Sequence, residues 1–165
     1  MSCMKRIRGE IKSYNAKYAR FGESGFHLNE EVALAYNPEN LREWYFIIRR
    51  LEAPYTGGEY IAKISVPDRY PHKNPDFRML TPSGRFTPNT NICTTFSSYH
   101  NSDNNPLWTI ATMALGFVSF MMDDKDSGLG SIRTSDDDRR RFAVKSTEFN
   151  RKCEVYQKYF KEINT

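Results

Sequence analysis

Three thiols, three imidazoles and a scatter of carboxylates are the side chains in this 165-residue chain that could support nucleophilic or acid–base chemistry. Cys93 lies in Thr87-Pro-Asn-Thr-Asn-Ile-Cys-Thr-Thr, a polar, donor-rich, loop-like setting. A thiol there can ionise and attack as thiolate, whereas one packed among apolar side chains stays inert. Cys153 falls on the apolar stripe of a C-terminal helix and reads as a buried thiol. Cys3 lies in the first residues and is assigned nothing. His100, seven residues after Cys93, could serve as the base of a cysteine–histidine pair. Such partners usually lie far apart in sequence, so this spacing lends the pair little support. There is no Cys-x-x-Cys, no phosphate-binding glycine loop and no helical metal motif. The carboxylates sit in surface-like segments, so a paired acid and base is not indicated, and neither a metal nor a cofactor is expected.

The elements that must position Cys93 can be read from periodicity. Met4, Ile7, Ile11, Tyr14 and Tyr18 recur at three- and four-residue steps, which predicts an N-terminal helix with one apolar face. Lys5, Arg6, Arg8, Lys12, Lys17 and Arg20 fill much of the remainder against Glu10 alone, the pattern of a solvated face. Phe26 to Val66 reads as three to four sequential strands with short turns, an antiparallel meander. From Pro67 to Asn105, prolines punctuate a stretch rich in Asn, Ser and Thr, and regular structure is expected to thin out. Leu107 to Met122 predicts a largely buried helix. Ser135 reads as the N-cap of a last helix with Asp136, Asp137 and Asp138 in its first turn. Phe142, Phe149, Cys153, Tyr156, Phe160 and Ile163 form its apolar stripe. The order is that of an α+β domain, and no repeat or linker divides it, so residues 1–165 are expected to form a single domain.

Composition narrows the function classes. At 14% aromatic the chain has the makings of a packed core, unlike a disordered one. A net charge of +4 is well short of what a dedicated nucleic-acid binder carries, so no nucleic-acid partner is expected. The near-apolar run Thr109 to Met122 is too short to span a bilayer, and the basic start has no apolar stretch behind it. No membrane segment is therefore expected in the given chain, and three cysteines, which cannot all pair with one another, suit a reducing compartment.

In order and spacing, a series of strings resembles the ubiquitin-conjugating enzymes, and more narrowly the branch tail-anchored at the endoplasmic reticulum. They are Pro54-Tyr-Thr-Gly-Gly58, Tyr70-Pro-His-Lys-Asn-Pro75, Arg78-Met-Leu-Thr-Pro-Ser-Gly-Arg-Phe86, Asn89-Thr-Asn-Ile-Cys93, His100, Asn105-Pro-Leu-Trp108, Gly130-Ser-Ile132 and Thr134-Ser-Asp136. The resemblance runs from the basic first helix to about Asn150. It implies an N-terminal helix, a four-stranded antiparallel meander, a long active-site loop and C-terminal helices. It also implies that Cys93 accepts ubiquitin as a thioester from an activating enzyme. Transfer then goes to a Lys, or a Ser or Thr hydroxyl, of a substrate protein, usually with a ligase.

The same resemblance distributes further roles. The oxyanion formed during transfer needs a placed donor, attributed in the family to an Asn upstream of the cysteine. Ser83 stands at the matching position, and its hydroxyl reaches less far than a carboxamide. Either Asn89 or Asn91 takes that role, or the family Asn is mainly structural, or catalysis is slower, since one lost oxyanion donor costs about 10²–10³ in rate. A non-catalytic ubiquitin-binding or scaffold variant is the alternative. His100 matches a residue lining the gate over the thioester, although Asn101 and Asn104 replace the branch's Pro and Trp. Ser131 is the gate candidate after the active site. Lys5, Arg6 and Arg8 fall where the family docks activating enzyme and ligases, and His72, Trp108 and Thr109 in the two ligase-facing loops. The expected location is cytoplasmic, or the cytosolic face of the endoplasmic reticulum if a tail anchor has been removed.

Overall fold

A computed structural model describes residues 2–94, 96–97, 104–123 and 128–165 of the chain. Helix α1 (Cys3–Lys17) opens on Ser2, whose side chain accepts the Lys5 N–H, and it buries Ile7, Glu10 and Tyr14. Strands β1 (Ala19–Phe21), β2 (Gly25–His27), β3 (Val32–Asn37), β4 (Asn40–Ile48), β5 (Tyr60–Ser65) and β6 (Asp76–Met79) follow. They form one sheet in chain order, every neighbour antiparallel. Helices α2 (Ile110–Met122) and α3 (Asp136–Arg151) and a short π-helical turn, Tyr156–Phe160, complete the described elements.

The antiparallel meander is present, but it has six strands rather than four. β1 is three residues long, too short to show an alternation, and β6 is a four-residue strand between Pro75 and Pro82 in the stretch expected to be irregular. β2 and β3 are separated by a turn in which the Asn29 side chain accepts the Glu31 and Val32 N–H groups. Central strands show little polar alternation because both sheet faces are covered. One face packs Phe26, Leu34, Trp44, Phe46, Ile64 and Phe77 against α1 and against Met113, Phe117 and Met121 of α2. The other packs Phe21, Ala33, Ala35, Tyr45, Ile47 and Ile61 against Tyr159, Phe160 and Ile163. Successive residues of β3 and β4 thus enter opposite cores, as a period of two requires.

The C-terminal stripe is corrected more sharply. α3 stops at Arg151, and Phe149 is 41% exposed. The face that α3 buries is Arg139, Ala143, Ser146 and Asn150. These polar groups find backbone partners. Ser146 Oγ takes the Glu59 N–H at 2.9 Å, and Asn150 Nδ2 donates to Glu59 O at 2.7 Å while its Oδ1 accepts from Thr81 Oγ1 at 2.6 Å. A hydropathy pattern cannot register a helix face whose partners are backbone groups just outside a sheet. Cys153 lies in the break after α3 and is half-buried, not sealed in a core.

Candidate active site

Cys93 sits on a short extended segment laid along the free edge of β6. Asn91 bridges to Arg78, and the buried Ile92 donates its N–H to Phe77 O at 2.9 Å. The Cys93 N–H goes the other way, to Leu129 O at 2.8 Å. Ile92 and Thr94 are buried on either side of it, while Cys93 is half-buried and outside any disulfide. A thiol with solvent access on a backbone fixed from two sides suits a nucleophile that must meet a large partner.

The segment 128–132 that receives Cys93 is itself clamped. Thr87 N–H donates to Gly130 O at 2.8 Å, Ile132 N–H to Arg85 O at 3.0 Å, and Phe86 bridges to Ser131. Gly130 has φ +85°, and a Cβ there would stand 2.6 Å from Asn91 O, so only glycine admits both the angle and the contact. Residues 91–93, 128–132 and 85–87 are therefore three layers in register. Ser131 lies in the middle layer, its Oγ accepting from Arg85 Nη1 at 2.9 Å.

The remaining candidates separate. Asn89 has a left-handed backbone, φ 59°, donates its N–H to Met79 O at 2.8 Å and leaves its side chain exposed. Asn91 Oδ1 is occupied by Arg78 Nε at 2.7 Å. Ser83 is fully buried, and its Oγ accepts the Arg85 N–H at 3.1 Å and the Phe86 N–H at 3.4 Å, the work of a turn cap. His100 lies outside the described residues. On the far side of Cys93, Asn74 Nδ2 donates to Ser97 O at 3.0 Å, and Asn104 Nδ2 donates to Asn74 Oδ1 at 2.8 Å and Pro71 O at 3.0 Å. The Asn that replaces the branch's Trp thus ties its own segment to the residues following Cys93.

The predicted docking residues come together around a group the sequence reading left on a solvated face. Glu10 is only 5% exposed. Its Oε1 accepts from Tyr14 Oη at 2.8 Å and from the Ile110 N–H at 2.7 Å. Its Oε2 accepts from Arg6 Nε at 2.8 Å and Tyr70 Oη at 2.5 Å. Burial, then the Glu10 charge, pushes the Tyr14 and Tyr70 phenols well above their ordinary range, so both stay protonated and donate. Arg6 is thus half-buried, with Nη2 on Trp108 O at 2.9 Å. Lys5 and Arg8 are exposed, as is His72 in the turn after Arg69. Trp108 packs edge-on to Phe96 at 5.0 Å, and Thr109 caps α2 by accepting the Thr112 N–H. A groove of about 420 Å³ lined by Lys5, Arg6, Gly9, Ser13 and Thr109, among others, opens between α1 and that cap.

Sequence reasoning missed Glu10 and Arg85. Glu10 had a signal, since it shares a helix face with Ile7 and Tyr14, and Arg85 had only its place beside Gly84 and Phe86. Among the described residues no three His, Cys, Asp or Glu side chains gather as a metal site would need, and no helix is long and apolar enough to cross a membrane.

Comparison with known proteins agrees with this geometry. The family described as "Ubiquitin-conjugating enzyme" matches residues 12–143. The human ubiquitin-conjugating enzyme E2 J2 is 41% identical over 127 residues, which cover 76% of this chain and 49% of that protein. Ubiquitin-conjugating enzyme E2 6 of Schizosaccharomyces pombe is 40% identical, covering 74% of this chain and 59% of its own. Ubiquitin-conjugating enzyme E2 34 of Arabidopsis thaliana is 36% identical over 98% of this chain and 64% of its own. The chain thus spans about half to two thirds of these relatives. A Plasmodium yoelii crystal structure described as a ubiquitin conjugating enzyme covers 88% of this chain and 83% of its own with TM-score 0.52 at 22% identity, a likeness of fold alone.

Proposed function

This chain belongs to the ubiquitin-conjugating enzyme family, and from that premise we propose that residues 1–165 act as one conjugating core with Cys93 as the carrier of ubiquitin. The observation that carries the reading is the half-buried Cys93 thiol on a backbone held by Phe77 O through Ile92 and by Leu129 O directly.

The chemistry needs little beyond a placed thiolate. Cys93 loses its proton to solvent and attacks the ubiquitin C-terminal thioester on an activating enzyme. A new carbon–sulfur bond forms, the old one breaks, and the activating enzyme's thiolate leaves. Two thioesters are exchanged, so the step is close to balanced. A substrate amine or hydroxyl then attacks the same carbonyl. Its proton passes to solvent or to His100, and the Cys93 thiolate departs. Of the donor candidates, the exposed Asn89 carboxamide is better suited to the oxyanion than the buried Ser83 hydroxyl. Ser131, fixed by Arg85 in the adjoining layer, is our gate residue.

Lys5, Arg6 and Arg8, with His72, Trp108 and Thr109, supply the surface for the activating enzyme and a ligase. The hydrogen bonds from Arg6 and Tyr70 to Glu10 and Trp108 hold those three segments in one frame. The substrate is a protein presenting Lys, Ser or Thr, and the working location is the cytosol or the cytosolic face of the endoplasmic reticulum.

A charging assay tests this. The chain is mixed with activating enzyme, ubiquitin and ATP, and run with and without reductant. We expect a product heavier by one ubiquitin that reductant removes and that Cys93→Ala cannot form. Absence of that product with a competent activating enzyme turns the reading to a non-catalytic variant of the fold.

A further inference from the structure

We propose that Arg85 is a positioning residue for Cys93, setting the backbone under the thiol through Ser131 and the segment that ends at Leu129. The inference rests on Cys93 being the ubiquitin carrier and names a residue that acts through others on that site.

Arg85 is 1% exposed, a costly place for a cation unless its donors are met. Nε donates to Met121 O at 3.1 Å, and Nη2 donates to Phe120 O at 3.2 Å and Asp123 O at 2.9 Å. These carbonyls belong to the last turn and cap of α2, a helix with no basic residue of its own there. Arg85 therefore supplies both the missing donors and the charge that the negative end of the helix favours. The guanidinium also lies over the Phe86 and Phe120 rings, 4.5 and 5.2 Å from their centroids, which fixes its plane.

A helix cap needs only those carbonyls, yet Nη1 reaches on to Ser131 Oγ at 2.9 Å. One rigid group thus joins α2 to the segment 128–132, which the Arg85 main chain also grips through Ile132 N–H. That segment passes the position on: Leu129 O holds the Cys93 N–H, and Gly130 is pressed against Asn91 O and Ile92 Cα. Lysine keeps the charge, but its three N–H donors share one nitrogen and cannot span the distance from the α2 carbonyls to Ser131 as the guanidinium's separate nitrogens do.

The test compares the folded full chain with Arg85→Lys, foldedness being checked by circular dichroism. Discharge of a preloaded Cys93–ubiquitin thioester onto free lysine is expected to lose about tenfold or more in maximal rate. The rate read is the first-order constant of the loaded species, so loss of folded protein lowers the amplitude and not the constant, and the half-saturating lysine concentration is expected to stay within about twofold. Amide hydrogen exchange at Cys93 should quicken while that at Ile110, held by Glu10, should not. A maximal rate within about twofold of the parent in folded protein overturns the proposal, as does unchanged exchange at Cys93. If Arg85→Lys does not fold, Ser131→Ala decides. It removes the link to 128–132 and leaves the α2 carbonyls their donors, and because Ser131 is also the gate residue the readout is amide exchange at Cys93, which must quicken; unchanged exchange overturns the proposal. If the parent chain takes no ubiquitin, the carrier reading fails, and Cys93 exchange in Arg85→Lys still settles the positioning role, faster exchange supporting it and equal exchange overturning it.

Discussion

The two ends of α2 are closed by opposite charges, and neither charge belongs to the helix. At the N-terminus the buried carboxylate of Glu10 takes the Ile110 N–H, and at the C-terminus the buried guanidinium of Arg85 serves the carbonyls of Phe120, Met121 and Asp123. α2 has no acidic residue in its first turn and no basic residue in its last, so its dipole is complemented entirely from elsewhere in the chain. The two ends differ in what else they hold. Glu10 also gathers Arg6, Tyr14 and Tyr70, and so frames the surface proposed for partners. Arg85 also holds Ser131, and so frames the backbone beside Cys93. One end of an apolar helix is tied to the surface proposed for partners and the other to the segment beside the proposed carrier thiol, so both proposals rest on a single rigid element.

Changes at the N-terminal end should therefore cost stability without slowing the loaded thiol, in contrast to the slowed discharge expected of Arg85→Lys. The largest expected loss is for Glu10→Ala, which strands Arg6, two phenols and the Ile110 N–H. We expect about 3 kcal/mol or more from urea unfolding, with the folded fraction discharging preloaded thioester at the parent rate. Slowed discharge would break the division between the ends. Tyr70→Phe removes one hydrogen bond to the carboxylate and should cost about 1.5–3 kcal/mol by the same measurement. It also tests whether the frame serves docking, since charging at limiting activating enzyme should weaken more than discharge. Thr109→Ala deletes the side-chain cap and should cost about 1 kcal/mol in thermal or urea unfolding. A loss as large as that of Glu10→Ala would make the cap as important to that end as the carboxylate.

Much of this fold can be read in the residue order. The α1 face of Ile7 and Tyr14, the β3–β5 strands, the buried α2 and the Ser135 cap follow from periodicity and capping chemistry that act within a few residues. β6 escaped because four residues between prolines show no period. The buried face of α3 escaped because Arg139, Ser146 and Asn150 are satisfied by distant backbone groups. At the site, Cys93 stood out as the loop thiol among three, and Ser131 was singled out by resemblance alone. Their neighbouring layers depend on pairings between segments that are separate in sequence, from Arg78 with Asn91 to Arg85 with Ile132, and no local pattern encodes these.

The sequence by itself determined which thiol lies in a polar loop, which helices and central strands form, and which family pattern the chain follows. These rest on side-chain type and short-range spacing. Only the tertiary structure decided that Ser83 is a turn cap, that Asn89 is the exposed carboxamide, that Arg6 is bonded to Glu10 and Trp108, and that Arg85 holds the layer beside Cys93. A polar side chain's role is set by the partner it meets in the fold, and those partners lie from a few residues to a hundred away.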